Sequence, residues 1–173
     1  MRVLTSRAAA TAVALAAVCF STSGNAAERE FLSRFEGSFS GGGTVQRNAT
    51  ESPNKVTCTL TGQPSANAVS IGGQCGALIF SRDIRADLRY DEASGRYTGV
   101  YVGSAIGPAK LSGKRKGDAV ILTITWPKPV NGDTKATMTI SNSGNGSLAI
   151  TVTDELEPGG ARAKVTQLAL NQS

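Results

Sequence analysis

The stretch Asp83-Ile-Arg-Ala-Asp-Leu-Arg-Tyr90 decides how the chain is read. On a strand, Ile84, Ala86, Leu88 and Tyr90 fall on one face, and Asp83, Arg85, Asp87 and Arg89 on the other. A helix would scatter the same charges around its girth, so the segment reads as a strand with one face in a core. Outward from it the two-residue period recurs. Val56, Cys58 and Leu60 alternate with Thr57, Thr59 and Thr61, and Ala136, Met138 and Ile140 alternate with Lys135, Thr137 and Thr139. Val120, Leu122, Ile124 and Trp126 form another apolar face. Ile121 is apolar too, so that strand is expected to be covered on both sides near its start.

Turn residues separate these segments: Asp91-Glu-Ala-Ser-Gly95, Lys116-Gly-Asp118, Asn131-Gly132 and Glu157-Pro-Gly-Gly160. Pro127 and Pro129 are expected to stop the strand that contains Trp126. A slip of apolar phase between Val165 and Leu168 predicts a bulge in the last strand. Only residues 28–35 read as helical, with Phe31, Leu32 and Phe35 on one side. The spacing leaves no room for crossover helices. The expected fold class is therefore all-β: a single antiparallel barrel or sandwich with a short N-terminal helix.

Residues 1–27 read as a signal peptide. Arg2 and Arg7 precede an uncharged run from Ala8 to Phe20, too short to span a bilayer, and small residues then offer cleavage after Ala26 or Ala27. The mature chain is then one all-β domain, 28–173, with no transmembrane segment, and its expected location is periplasmic or secreted. Export changes the counts. The full chain carries 18 Lys+Arg against 13 Asp+Glu, a formal charge of +5, and losing Arg2 and Arg7 lowers that to +3. Losing Cys19 turns three cysteines into the pair Cys58 and Cys75. In an oxidising compartment such a pair is expected to join, the alternative being two buried free thiols, and the closed loop would be worth about 3 kcal/mol through the unfolded chain.

The chain contains no histidine. Ser-His-Asp and Cys-His catalysis, His-ligated zinc and imidazole pH switching are thereby excluded. Ser52-Pro-Asn-Lys55 matches the S-x-x-K pair of penicillin-recognising enzymes, but it precedes a strand where that chemistry needs a helix start. Gly144-Asn-Gly-Ser-Leu-Ala149 has dinucleotide-like glycine spacing and again precedes a strand. Asp154, Glu155 and Glu157 read as solvated turn charges rather than as a calcium site. No metal and no cofactor is expected, and a non-enzymatic role is preferred. The basic group Lys110, Lys114, Arg115 and Lys116, with Lys128 after the next strand, is the candidate surface for an anionic ligand if a hairpin brings these residues together. Without aromatic residues among those charges, nucleic acid is not an expected partner. An outer-membrane barrel would carry aromatic girdles, which are missing here, and would not end in Asn-Gln-Ser173.

The stretch Phe35-Glu-Gly-Ser-Phe-Ser-Gly-Gly-Gly-Thr-Val45, with Val56-Thr-Cys58, Ile71-Gly-Gly-Gln-Cys75 and Leu111-Ser-Gly113, resembles a group of small exported proteobacterial proteins. These share a glycine-rich opening, two cysteines and lipocalin-like meandering strands, and most have no assigned function. Gly37-Ser-Phe39 stands where lipocalins carry Gly-x-Trp after a short helix. The resemblance implies a lipocalin-like barrel. Such a barrel can hold one small apolar molecule, an envelope lipid or a glycan. The second reading is a protein-interaction module, either a protease or lysozyme inhibitor or an envelope scaffold. An exposed Pro127-Lys-Pro-Val130 loop would favour it, because preset extended segments bind at little entropic cost.

Overall fold

A computed structural model describes residues 23–77 and 80–173, so most of the expected leader, residues 1–22, lies outside the described residues. The elements are α1 (Ser23–Ser33), β1 (Gly37–Val45), β2 (Asn54–Pro64), β3 (Ala68–Ala77), β4 (Phe80–Asp91) and β5 (Arg96–Val102). They continue with β6 (Ala109–Lys116), β7 (Ala119–Val130), β8 (Asp133–Ser141), β9 (Ser147–Glu155) and β10 (Arg162–Gln172). Each strand pairs antiparallel with the next, and β1 pairs with β10, so the sheet closes into a barrel. Of the two all-β architectures expected, the barrel is the one adopted.

Alternation sets which face turns inward. In β4 Ala86 and Leu88 are buried while Arg85 and Arg89 are exposed, as the charge pattern predicts. The inner faces of β7, β8 and β9 contribute Val120, Leu122, Ile124, Met138, Ile140, Leu148 and Ile150, each at most 8% exposed. Cys58 and Cys75 stand directly opposite each other on β2 and β3 and form the disulfide. The expected bulge in β10 lies between Lys164 and Thr166.

Three expectations change. Ile121 is 40% exposed on the outer face, so β7 is covered on one side only. The prolines do not stop β7, which runs to Val130; instead its ladder with β8 is irregular between Thr125 and Val130. Proline lacks the N–H that a regular ladder uses, so pairing breaks while the chain stays extended. The helix begins earlier than residue 28 and ends at Ser33.

Glycine lets the strands coil tightly enough to close the barrel. A Cβ on Gly43 of β1 would lie 1.8 Å from the Gln167 carbonyl oxygen of β10, so any side chain there would push these strands apart. At one end of the barrel α1 acts as a stopper. Its Phe31, Leu32 and the following Phe35 share one face and are at most 1% exposed, against Phe39 of β1. Phe31 and Phe35 meet edge to face with ring centroids 5.2 Å apart. The chain leaves the helix across Gly62 of β2, where a Cβ would be 1.6 Å from the Phe35 carbonyl oxygen. Burial of each large side chain contributes about 1.5–3 kcal/mol. The bonds after Ala26 and Ala27 fall within α1, and all of these apolar anchors come after them in the chain.

Candidate functional site

Two ends of one barrel place similar side chains in different surroundings. At the stoppered end Tyr97 of β5 is fully buried, and its hydroxyl donates to Glu28 Oε2 of α1 at 2.5 Å. Arg115 of β6 donates Nε to the other oxygen of the same carboxylate at 2.8 Å, and its guanidinium lies 5.0 Å from the Phe31 ring centroid. Burial, then the Glu28 carboxylate, pushes the Tyr97 hydroxyl well above the usual phenol range. Arg34, just past α1, pairs with Asp118 at 2.7 Å, and Asn142 donates Nδ2 to the Arg34 carbonyl at 2.7 Å. The helix is thus held by charge and hydrogen bonding as well as by its apolar face.

At the other end, the mouth, the inward alternation continues but no helix among the described residues covers it. Val56, Cys75, Ile84, Tyr101, Trp126 and Val165 pack against the core while remaining only half-buried. Ala109 of β6 stands beside Tyr101 in the ladder, and its small size lets the Tyr101 and Trp126 rings meet above it, with centroids 6.3 Å apart. Beside them Asp154, on the inner face of β9, is 3% exposed. Its Oδ2 accepts from Trp126 Nε1 at 3.2 Å, and its Oδ1 accepts from the Glu155 backbone N–H at 2.9 Å. Arg162 stands 3.7 Å from Oδ1 and 3.9 Å from an Asp133 oxygen. Burial pushes the Asp154 carboxyl above its ordinary range, against these hydrogen bonds and the Arg162 charge. The Tyr101 hydroxyl is also pushed up by burial, and the nearby Arg82 charge opposes that shift.

The rim is uneven. Asn131, in a left-handed turn with φ of 50°, donates to the carbonyls of Arg47 at 3.1 Å and Glu155 at 2.8 Å. Ala49 N–H donates to the Leu156 carbonyl at 3.1 Å, so the β1–β2, β7–β8 and β9–β10 loops are laced together. Across the mouth, β4 pairs with β5 only from Arg85 onward, so the residues from Phe80 to Ile84 pair with β3 alone. Two shallow depressions lie on the outer wall of β2–β5. One, of about 380 Å³, is lined by Thr61, Ser70, Asp83 and Arg85; the other, of about 430 Å³, by Gln63, Asp87, Arg89 and Val100.

The expected basic surface is not one patch. Lys110 and Lys114 point outward along β6, Lys116 sits at the β6–β7 turn, and Arg115 points inward to Glu28. Lys116 pairs with Ala119 at the start of β7, whereas Lys128 lies near its far end, about 30 Å away along an extended strand. Asp154 is likewise not a solvated turn charge, because the alternation of Leu148, Ile150 and Val152 carries it inward. Among the described residues no group of acidic or cysteine side chains is arranged to hold a metal, and no helix is long and apolar enough to cross a membrane. Sequence reading missed Asp154 and Arg115 as inward groups, although strand parity pointed to both.

No protein-family model matches the chain, and no curated protein matches it. Among solved structures, the crystal structure of Rv2717c from M. tuberculosis superposes with a TM-score of 0.64 at 14% sequence identity. The match covers 83% of this chain and 96% of that one. At that identity the likeness is one of fold.

Proposed function

We propose that this is an exported, non-enzymatic binding protein that takes a small apolar molecule or an envelope lipid into the mouth of its barrel. One observation carries the reading: at the mouth, inward-facing Tyr101, Trp126 and Ile84 stay partly exposed around a buried carboxylate, while the opposite end is stoppered. Partly wet aromatic surface with a few convergent polar groups is what a small-ligand site offers. Packed side chains fill the stoppered half, so the ligand belongs in the outer half of the barrel. The disulfide is consistent with an oxidising compartment, and processing after Ala26 or Ala27 would release the domain there with its apolar stopper intact.

The test uses Trp126, the single tryptophan of the chain. Titration with a fluorescent apolar probe should quench its emission saturably, and Trp126→Phe with Tyr101→Ala should weaken probe binding about tenfold or more. Unchanged emission across a panel of apolar and lipid-extract ligands would overturn the reading. The interaction-module reading keeps one observation in its favour: Pro127, Lys128 and Pro129 are all exposed in an extended segment.

A further inference from the structure

We infer that the protein docks mouth-first on an anionic lipid bilayer, with Phe80 inserted at the surface and Arg82, Lys55 and Lys128 facing the headgroups. Phe80 is 77% exposed, the most exposed of the large apolar side chains among the described residues. It opens β4 opposite Ala77 of β3, in the part of the strand that has no β5 partner, so that flank of β4 is uncovered. The sequence just before it, Ala77-Leu-Ile, is apolar as well. The neighbouring β5–β6 loop, residues 103–108, is uncharged. Arg82 donates to the Gly103 carbonyl at 3.3 Å, which places the β5–β6 loop, with exposed Ala105, beside the hairpin. Val102 is 37% exposed at the end of β5.

Cations flank this apolar arc. Lys55 of β2 lies two residues beyond Thr57, which pairs with Gly76 at the hairpin. Lys128 lies next to Pro127, whose ring is 3.8 Å from where a Cβ on Gly107 would stand. Lys55, Arg82 and Lys128 are exposed, and among the described residues none forms a salt bridge, so all three charges are available to phosphate headgroups. Asp83, three residues after Phe80 on β4, is an exposed carboxylate on this strand. Exposed Phe80 and Val102 at the rim, with basic residues around them, suit an interface of acyl chains beneath anionic headgroups. This inference does not depend on a ligand occupying the mouth.

Vesicle binding tests it. The full chain should bind large unilamellar vesicles of phosphatidylglycerol and phosphatidylethanolamine, and should bind phosphatidylcholine vesicles far more weakly. Neutralising Lys55, Arg82 and Lys128 to Gln should lower the partition coefficient about fivefold for each cation removed, and Phe80→Ser should lower it about tenfold. Brominated acyl chains supply a second readout. Mouth-first docking brings Trp126 near the bilayer and quenches it, whereas attachment through α1 or the leader holds Trp126 at the far end. Binding without Trp126 quenching, equal binding to both vesicle types, or binding indifferent to Phe80→Ser would each overturn the inference. Phe80 is too exposed for its loss to unfold the barrel, and thermal denaturation of the variant checks that.

Discussion

Each end of this barrel carries an aromatic donor, a shielded carboxylate and an arginine, yet the two trios do different work. Glu28 comes from α1 and receives Tyr97 and Arg115 from the wall, so its hydrogen bonds tie two separate elements together. Asp154 comes from the wall itself, as do Trp126 and Arg162, so its contacts brace the rim without attaching a cover. The first trio closes its end. The second leaves aromatic surface half-exposed beside it. Similar side chains thus stopper one end and furnish the other, according to which element supplies the carboxylate.

Truncating the stopper should break this comparison most severely. Phe31→Ala or Phe35→Ala removes a fully buried ring from a packed site and should cost about 3–5 kcal/mol. Trp126→Ala, at the half-buried mouth, should cost clearly less. Urea denaturation of the three variants checks the order, and equal losses at both ends would mean that the mouth is packed as tightly as the stopper. Next in size is the disulfide, which closes a 17-residue separation on the inner wall and should contribute about 3 kcal/mol. Reduction should lower the denaturation midpoint, and free-thiol labelling of unreduced, denatured protein should find neither Cys58 nor Cys75 reactive. A smaller effect is expected from Glu28→Gln. It keeps a polar partner for Tyr97 but takes the charge from beside Arg115, for a loss of about 2 kcal/mol.

The architecture was legible wherever one face of a strand met water. Asp83, Arg85, Asp87 and Arg89 announce β4 because their charges cannot be buried together, and the slip after Val165 announces the β10 bulge. Cys58 and Cys75 were legible as a pair once Cys19 was assigned to the leader. Pairing of inward charges was harder to see. Arg115 shares strand parity with Leu111 and Gly113, but its basic neighbours Lys114 and Lys116 made the run look like a surface. Asp154 continues the parity of Ile150 and Val152, but its place near a turn suggested water. In both cases the partner that makes burial tolerable, Glu28 or Trp126, is distant in sequence. Period can place a residue on a face; it cannot supply the partner. Closure, too, rests on contacts that no local pattern records, such as the approach of β10 to Gly43.

The smallest expected effect sharpens the comparison most, because it isolates the mouth carboxylate. Burial raises the Asp154 pKa above its unfolded value near 3.8, so the folded protein holds that proton more tightly than the unfolded chain does. The contribution of this site to stability therefore grows as pH falls through the folded pKa and levels off below the unfolded one. Glu51 and Asp91 act in the opposite sense, since hydrogen bonds from Asn48 and Ser94 lower their carboxyls. The whole protein's pH profile thus mixes the two signs, and the difference between wild type and Asp154→Asn isolates one. That variant keeps an acceptor for Trp126 but cannot ionise. The stability advantage of the wild type over it should widen as pH falls from about 7 to about 4. Over the same range Trp126 emission should titrate with a midpoint above the usual aspartate value, and the transition should be absent from the variant. A stability difference that stays flat with pH would show that water reaches Asp154, and that the mouth trio is a solvated rim rather than the floor of a site.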